Sequence, residues 1–316
     1  MQIYGFYGER YGGFAQICVS LPQICKTMEQ VAKYISKIEI ESLWGGRKQI
    51  EWNLRPDVNI LSGINGIGKS TILNKTIGSL KTLFLQNNVT KEMVGVKFTF
   101  FPEDATVLHY DVIRSFDRPL MHAELLEKVA DKRVLSELDW QLYQLQRRFL
   151  DYQVNIGNRM IELLTSGDPE SQAKATEIPK LKTRFQDIVD ELFKDTGKKL
   201  IRKSNEIRFL QEMNLLGTFH GSSGETQEEE LTPYQLSSGE KQMLVILLTV
   251  LVQDQQPYVL FMDEPEVSLH IEWQERMISL IRELNPNAQI ILTTHSPAVI
   301  MNGWMDVVTE VSDISR

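Results

Sequence analysis

The stretch Val58-Asn59-Ile60-Leu61-Ser62-Gly63-Ile64-Asn65-Gly66-Ile67-Gly68-Lys69-Ser70-Thr71 decides how this chain is read. Val58 to Leu61 reads as a strand, and from Lys69 to Phe84 the residues Ile72, Leu73, Ile77, Leu80 and Leu83 recur at near-helical spacing. Between them, Gly63 to Ser70 fits the phosphate-loop pattern at the point where a strand hands over to a helix. Glycines let successive backbone N–H groups wrap phosphate oxygens, and the helix N-terminus adds positive potential. Asn65, Gly66, Ile67 and Gly68 would form the cradle, Lys69 would reach the β and γ oxygens, and Ser70 would ligate magnesium, with Thr71 a secondary candidate. Composition alone yields such a match in about one chain of this length in a hundred, so a second motif is required.

That second motif lies at Tyr258-Val259-Leu260-Phe261-Met262, an apolar run expected of a buried parallel strand, which ends abruptly in Asp263-Glu264-Pro265. Two carboxylates at such a strand end are costly without a cation or substrate. Phosphoryl transfer needs a magnesium ligand and a group that orients and deprotonates water; Asp263 is assigned the first role, through water, and Glu264 the second. Upstream, Leu236-Ser237-Ser238-Gly239-Glu240 opens an apolar helix that runs to Val252, with Ser237 and Glu240 spaced as a capping box.

Working outward, Ile38 to Asn53 alternates around Gly45-Gly46 and reads as two strands joined by a turn, and Val94 to Phe100 and Thr106 to Ile113 read as further strands. Then the pattern changes to heptads. Leu135, Leu138, Leu142, Leu145, Phe149, Tyr152 and Ile156 form one run, and Ile178, Leu181, Phe185, Ile188 and Leu192 a second. Gly167-Asp168-Pro169 breaks them, which predicts an antiparallel helical hairpin. It is either a subdomain packed against the rest or a short protruding coiled coil that grips a partner. His220 to Glu230 reads as a surface loop.

The chain has 316 residues with 42% apolar content, enough for one large α/β domain with an insertion. A net charge of −8 argues against a chain coated in basic residues, so nucleic acid, kept as a second ligand class, would need a local patch. Cys18 and Cys25 are too few for a disulfide framework and read as reduced cytosolic residues. The longest apolar run, Met243 to Val252, is about half a membrane span, so no membrane contact and a cytoplasmic location are expected.

Leu-Ser-Ser-Gly-Glu-Lys-Gln before the Asp263-Glu264 strand resembles the signature motif of ABC ATPases. Ser268-Leu269-His270 resembles their D-loop, and Gln289 to His295 the strand that ends in a switch histidine. The resemblance covers about residues 37–75 and 230–305, and its wording is closest to non-transport members. These are the AAA-type and overcoming-lysogenization-defect ATPases of bacterial anti-phage systems, and SMC- or RecF-like heads of DNA repair. It implies an α/β ABC ATPase head, a mostly parallel sheet with N-terminal antiparallel strands and a helical-hairpin insertion. Residues 1–36 would be an N-terminal extension, 37–118 the first lobe, 119–200 the helical insertion and 201–316 the second lobe.

By the same resemblance His295 contacts the γ-phosphate and acts with Glu264 in catalysis, while Ser237, Ser238, Gly239 and Glu240 cap ATP held by an opposite copy. The chain would then be a magnesium-dependent ATPase forming an ATP-dependent homodimer. The signature departs from Ser-Gly-Gly-Gln, and no glutamine stands clearly in a Q-loop. Lysogenization-defect members often carry a TOPRIM nuclease after the switch histidine, whereas this sequence ends about twenty residues beyond His295, so a separate TOPRIM-type effector is expected. A second reading is an ATP-gated DNA clamp using Arg147, Arg148, Lys198, Lys199, Arg202 and Lys203 on phosphates. A third is the nucleotide-binding subunit of a transporter; against it, transporter heads end this loop in Leu-Asp where this chain has His270.

Overall fold

The computed structural model describes residues 30–46, 48–85, 92, 93, 95–115, 134–213 and 227–316. Tyr4 to Tyr11, Cys18, Cys25 and most of the His220 to Glu230 stretch lie outside them.

Three sheets organise the described chain. Strands β1 (Tyr34–Leu43) and β2 (Lys48–Asn53) form the expected antiparallel hairpin, extended through β5 (Val96–Phe101) to β4 (Glu92–Met93). Because β1 already starts at Tyr34, an N-terminal extension drawn to residue 36 is too long. The central sheet is parallel, in the order β12 (Val308–Glu310), β3 (Val58–Ser62), β11 (Ala288–Thr293), β10 (Tyr258–Asp263), β6 (Tyr110–Arg114). Its apolar runs divide by the period of two. Leu260, Met262, Ile290 and Leu292 enter one core, and Val259, Phe261 and Ile291 the other.

Helix α1 (Lys69–Leu85) packs with the hairpin sheet in the second core. The first core is filled by α2 (Glu137–Thr165), α4 (Lys180–Leu192), α5 (Ser238–Val252) and α6 (Ile271–Leu284), with the short α3 (Pro169–Glu177) between α2 and α4 in the chain. Met243 to Leu251 of α5 are all buried, as a helix apolar all round must be. At 1.5 Å per residue α2 is about 44 Å long. Its stripe Leu138, Leu142, Leu145, Phe149, Tyr152, Ile156 is buried in the first core, so that stripe belongs to a packed subdomain; Leu135 precedes the helix and is exposed. The return arm is two helices, α3 and α4, because Pro179 interrupts it.

Two ion pairs lock α2 to the sheet and to α5. Lys241 meets Asp139 at 2.8 Å, both nearly buried, and Arg148 grips Asp111 at 2.8 and 3.3 Å. Asp111 also accepts from Gln253, at the end of α5. The third sheet, β7 (Lys198–Leu200), β8 (Phe209–Met213) and β9 (Gln227–Leu231), is antiparallel and was not expected from the sequence. No helix among the described residues is long and apolar enough to cross a membrane.

Candidate nucleotide site

Three parallel strands end at one edge and deliver the chemistry there. Past β3, Lys69 is only 4% exposed; its Nζ donates to the Gly63 carbonyl at 2.9 Å and stands 2.6 Å from His295 Nε2. Burial lowers its ammonium from the ordinary lysine range, against the pull of Glu264, Asp263 and Glu266. Ser70 Oγ donates to Asp263 Oδ1 at 2.9 Å, and Thr293 Oγ1 donates to the same oxygen at 2.6 Å.

Glu264 has φ +47°, a left-handed conformation that costs a non-glycine residue roughly 1–2 kcal/mol. Bonds from its N–H to the Thr293 carbonyl and hydroxyl, both 3.1 Å, offset that strain. The turn carries its carboxylate to 3.1 Å from His295 Nε2. That nitrogen serves one neighbour at a time, accepting from Lys69 when unprotonated or donating to Glu264 when protonated.

Hard oxygen donors on a hydroxyl and a carboxylate suit magnesium, which takes its remaining ligands from phosphate and water. Ser70 and Asp263 fit that demand, and both line a hollow of about 570 Å³ with Asn74, Arg114, Ser115 and Glu137. Among the described residues no group of three or more His, Cys, Asp and Glu could hold a metal by itself.

The structure therefore brings Lys69, Ser70, Asp263, Glu264 and His295 into one cluster. Asn65 and Gly66 are exposed in the loop, Ile67 and Gly68 are half-buried, and Thr71 points outward. Ser237, Ser238, Gly239 and Glu240 form a separate group. Ser237 and Ser238 are exposed at the start of α5, while Glu240 is 2% exposed. Its carboxylate accepts from the Ser237 N–H (2.9 Å), Thr196 (2.8 Å) and Lys198 (2.8 Å). Burial alone would raise this carboxyl, but those donors outweigh it and hold it below the usual glutamate range. The expectation that Glu240 touches nucleotide is corrected for its side chain, which is turned inward as the capping box requires. A Cβ on Gly239 would lie 2.5 Å from the Ser268 carbonyl, so only glycine lets the helix start approach the loop after β10 this closely.

Two residues were missed. Trp44, at the β1–β2 turn, lies against the phosphate loop, and a Cβ on Gly68 (φ +105°) would be 2.3 Å from its ring. A tryptophan beside a Gly-Gly turn, at Trp44-Gly45-Gly46, was the available signal. Glu266 is buried behind His295, and the sequence offered only its place in the run Asp263-Glu264-Pro265-Glu266, with no sign of that burial. The basic residues named for a DNA clamp are largely engaged internally. Arg148, Lys198 and Arg202 pair with carboxylates, and Arg147 stacks on Tyr143.

A phosphate loop opening a helix, beside a parallel strand that ends in paired carboxylates, defines a P-loop ATPase domain. The chain belongs to the family described as "AAA domain, putative AbiEii toxin, Type IV TA system", whose model matches residues 102–302. It is 27% identical over 310 residues to Septu protein PtuA of Bacillus thuringiensis, covering 84% of this chain and 72% of that one. It is 34% identical over 82 residues to "Retron Vc95 probable ATPase" of Vibrio cholerae serotype O1 biovar El Tor, covering 22% of this chain and 16% of that one. Among solved structures, an Smc head bound to the C-winged helix domain of ScpA aligns at TM-score 0.46 and 14% identity, covering 85% of this chain and 92% of that one. A nucleotide-free ATP-binding cassette from an ABC transporter aligns at TM-score 0.37 and 16% identity, covering 84% of each.

Proposed function

We propose that this chain hydrolyses ATP at a site completed by a second copy, and that opening and closing of the pair controls a separate effector protein in anti-phage defence, in the cytoplasm. The observation that carries the reading is the convergence of Lys69, Ser70, Asp263, Glu264 and His295 at one sheet edge. Lys69 and the loop N–H groups would hold the β- and γ-phosphates, and Ser70 and Asp263 would hold magnesium, which would supply charge neutralisation there. Glu264 takes a proton from water as the water oxygen bonds to the γ-phosphorus. The bond to the β-bridging oxygen breaks and ADP leaves. His295 donates to the transferred phosphate.

Completion by a second copy is supported by what is left outward. Ser237 and Ser238 are exposed at a helix N-terminus that is electropositive and ready for an anion. Ile64 in the phosphate loop and Val267 after β10 are 75% and 55% exposed, apolar surface that a facing head would cover. An exposed indole beside the loop suits stacking on a purine, the role we give Trp44. The effector and the defence setting rest on the likeness to the Septu and retron proteins and on the motif wording. Glu264→Gln tests the site: it should bind ATP yet turn over at least about a hundredfold more slowly. Normal turnover would remove Glu264 from its role. Copurification of the native protein without any effector would count against the partner.

A further inference from the structure

Glu266 is 94% buried (6% exposed), yet none of the chemistry above uses it. Its Oε1 accepts from the Thr294 hydroxyl at 2.5 Å and from the His295 N–H at 3.1 Å, while Oε2 is buried without a partner. Holding a carboxylate out of water with one oxygen idle is costly, and such a group calls for a reason. The same two loops are tied a second time. Gln274 donates to the carbonyls of Glu266 (3.3 Å) and Leu269 (2.9 Å) and accepts from Ser296 Oγ (2.6 Å). Ser296 N–H closes the turn on Thr294 Oγ1 at 2.9 Å.

His295 thus stands with its imidazole between Lys69 and Glu264 and its peptide N–H on Glu266. We propose that Glu266 is the positioning residue of the switch histidine, fixing the backbone at Thr294 and His295 so that the imidazole reaches the γ-phosphate beside Glu264. The inference rests on the reading of His295 as a phosphate contact. Because both bonds converge on Oε1, what matters is an acceptor at that point; an amide oxygen supplies one as well as a carboxylate.

The test is steady-state ATP hydrolysis by the full chain, with melting temperatures, for wild type and for Glu266→Met, Glu266→Gln, His295→Ala and the Met/Ala double variant. Met keeps the volume and removes the acceptor. We expect Glu266→Met to lower kcat about tenfold or more with KM within about threefold, since loop contacts to ATP remain. Glu266→Gln should recover to within about threefold of wild type. In the His295→Ala background the Met change should cost less than about twofold, because a residue acting through the histidine has nothing left to position. The same loss in both backgrounds, or wild-type kcat in a folded Glu266→Met, overturns the inference alone. Wild-type turnover by His295→Ala overturns the underlying reading and the inference with it. If the Met variant does not fold, Glu266→Ala, which removes the acceptor without adding bulk, takes its place with the same expectations.

Discussion

The phosphate-loop edge and the start of α5 are built on opposite plans. At the first, functional side chains bond to one another: Ser70 to Asp263, and His295 Nε2 to Lys69 or to Glu264. At the second, the one charged side chain turns inward to Lys198 and Thr196 and leaves Ser237 and Ser238 facing out. An edge whose groups satisfy each other is organised before its ligand arrives. A helix start anchored from behind, by contrast, leaves two serines on the surface, where the proposed second copy would bring its nucleotide. On the proposed function the first edge would carry chemistry and the second recognition, and each part of that division can be attacked.

The sharpest separation comes from Glu264→Gln, expected to cut turnover by at least about a hundredfold while ATP binding and melting temperature stay near wild type, as a lost general base would. Stability and activity falling together would blur the two plans.

Glu240→Gln attacks the anchor of the second edge. Removing one partner of a buried ion pair costs about 3–5 kcal/mol, so denaturant unfolding should show that loss and an early melt. A stability change under about 0.5 kcal/mol would mean that the Lys198 contact is idle. The pH dependence has a definite sign. Glu240 titrates lower in the folded chain than its ordinary value of 4.5, so its contribution is present above that value and is lost as pH falls through the depressed folded value. Glu240→Gln should remove that acid-side dependence.

Ser238→Arg on the outward face should leave stability within about 0.5 kcal/mol and still reduce turnover about tenfold or more, by spoiling the phosphate contact at that helix start while leaving the pair able to form. Full activity in this variant would return the serines to mere helix capping. The smallest effect is expected at Trp44→Ala: KM for ATP should rise by several-fold, about what one base–aromatic stack contributes, with kcat little changed.

The first edge was legible in the sequence because its geometry is carried by contiguous residues: a glycine turn between strand and helix at Gly63–Ser70, and an apolar strand closed by Asp263-Glu264. The capping box at Ser237 and Glu240 was legible for the same reason, and it won over the reading of Glu240 as a nucleotide contact, since one carboxylate cannot both bury itself on Lys198 and reach outward. The β7–β8–β9 sheet was not legible. Its strands are three to five residues long, and Gln227-Glu228-Glu229-Glu230 carries no apolar alternation. Trp44 and Glu266 gain meaning only from tertiary neighbours, Gly68 and His295, that lie far from them in sequence or on another strand.

A mixing experiment tests directly whether ATP is held between two copies. Lys69→Ala spoils only the phosphate-loop edge and Ser238→Arg only the outward helix start, so each variant alone should be nearly inactive. Combined in equal amounts, they should recover turnover approaching about a quarter of the wild-type level, because half of random pairs carry one intact site. If mixing restores nothing beyond the sum of the separate variants, even at concentrations where wild type is fully active, the two edges do not meet across copies and the proposed division between them is wrong.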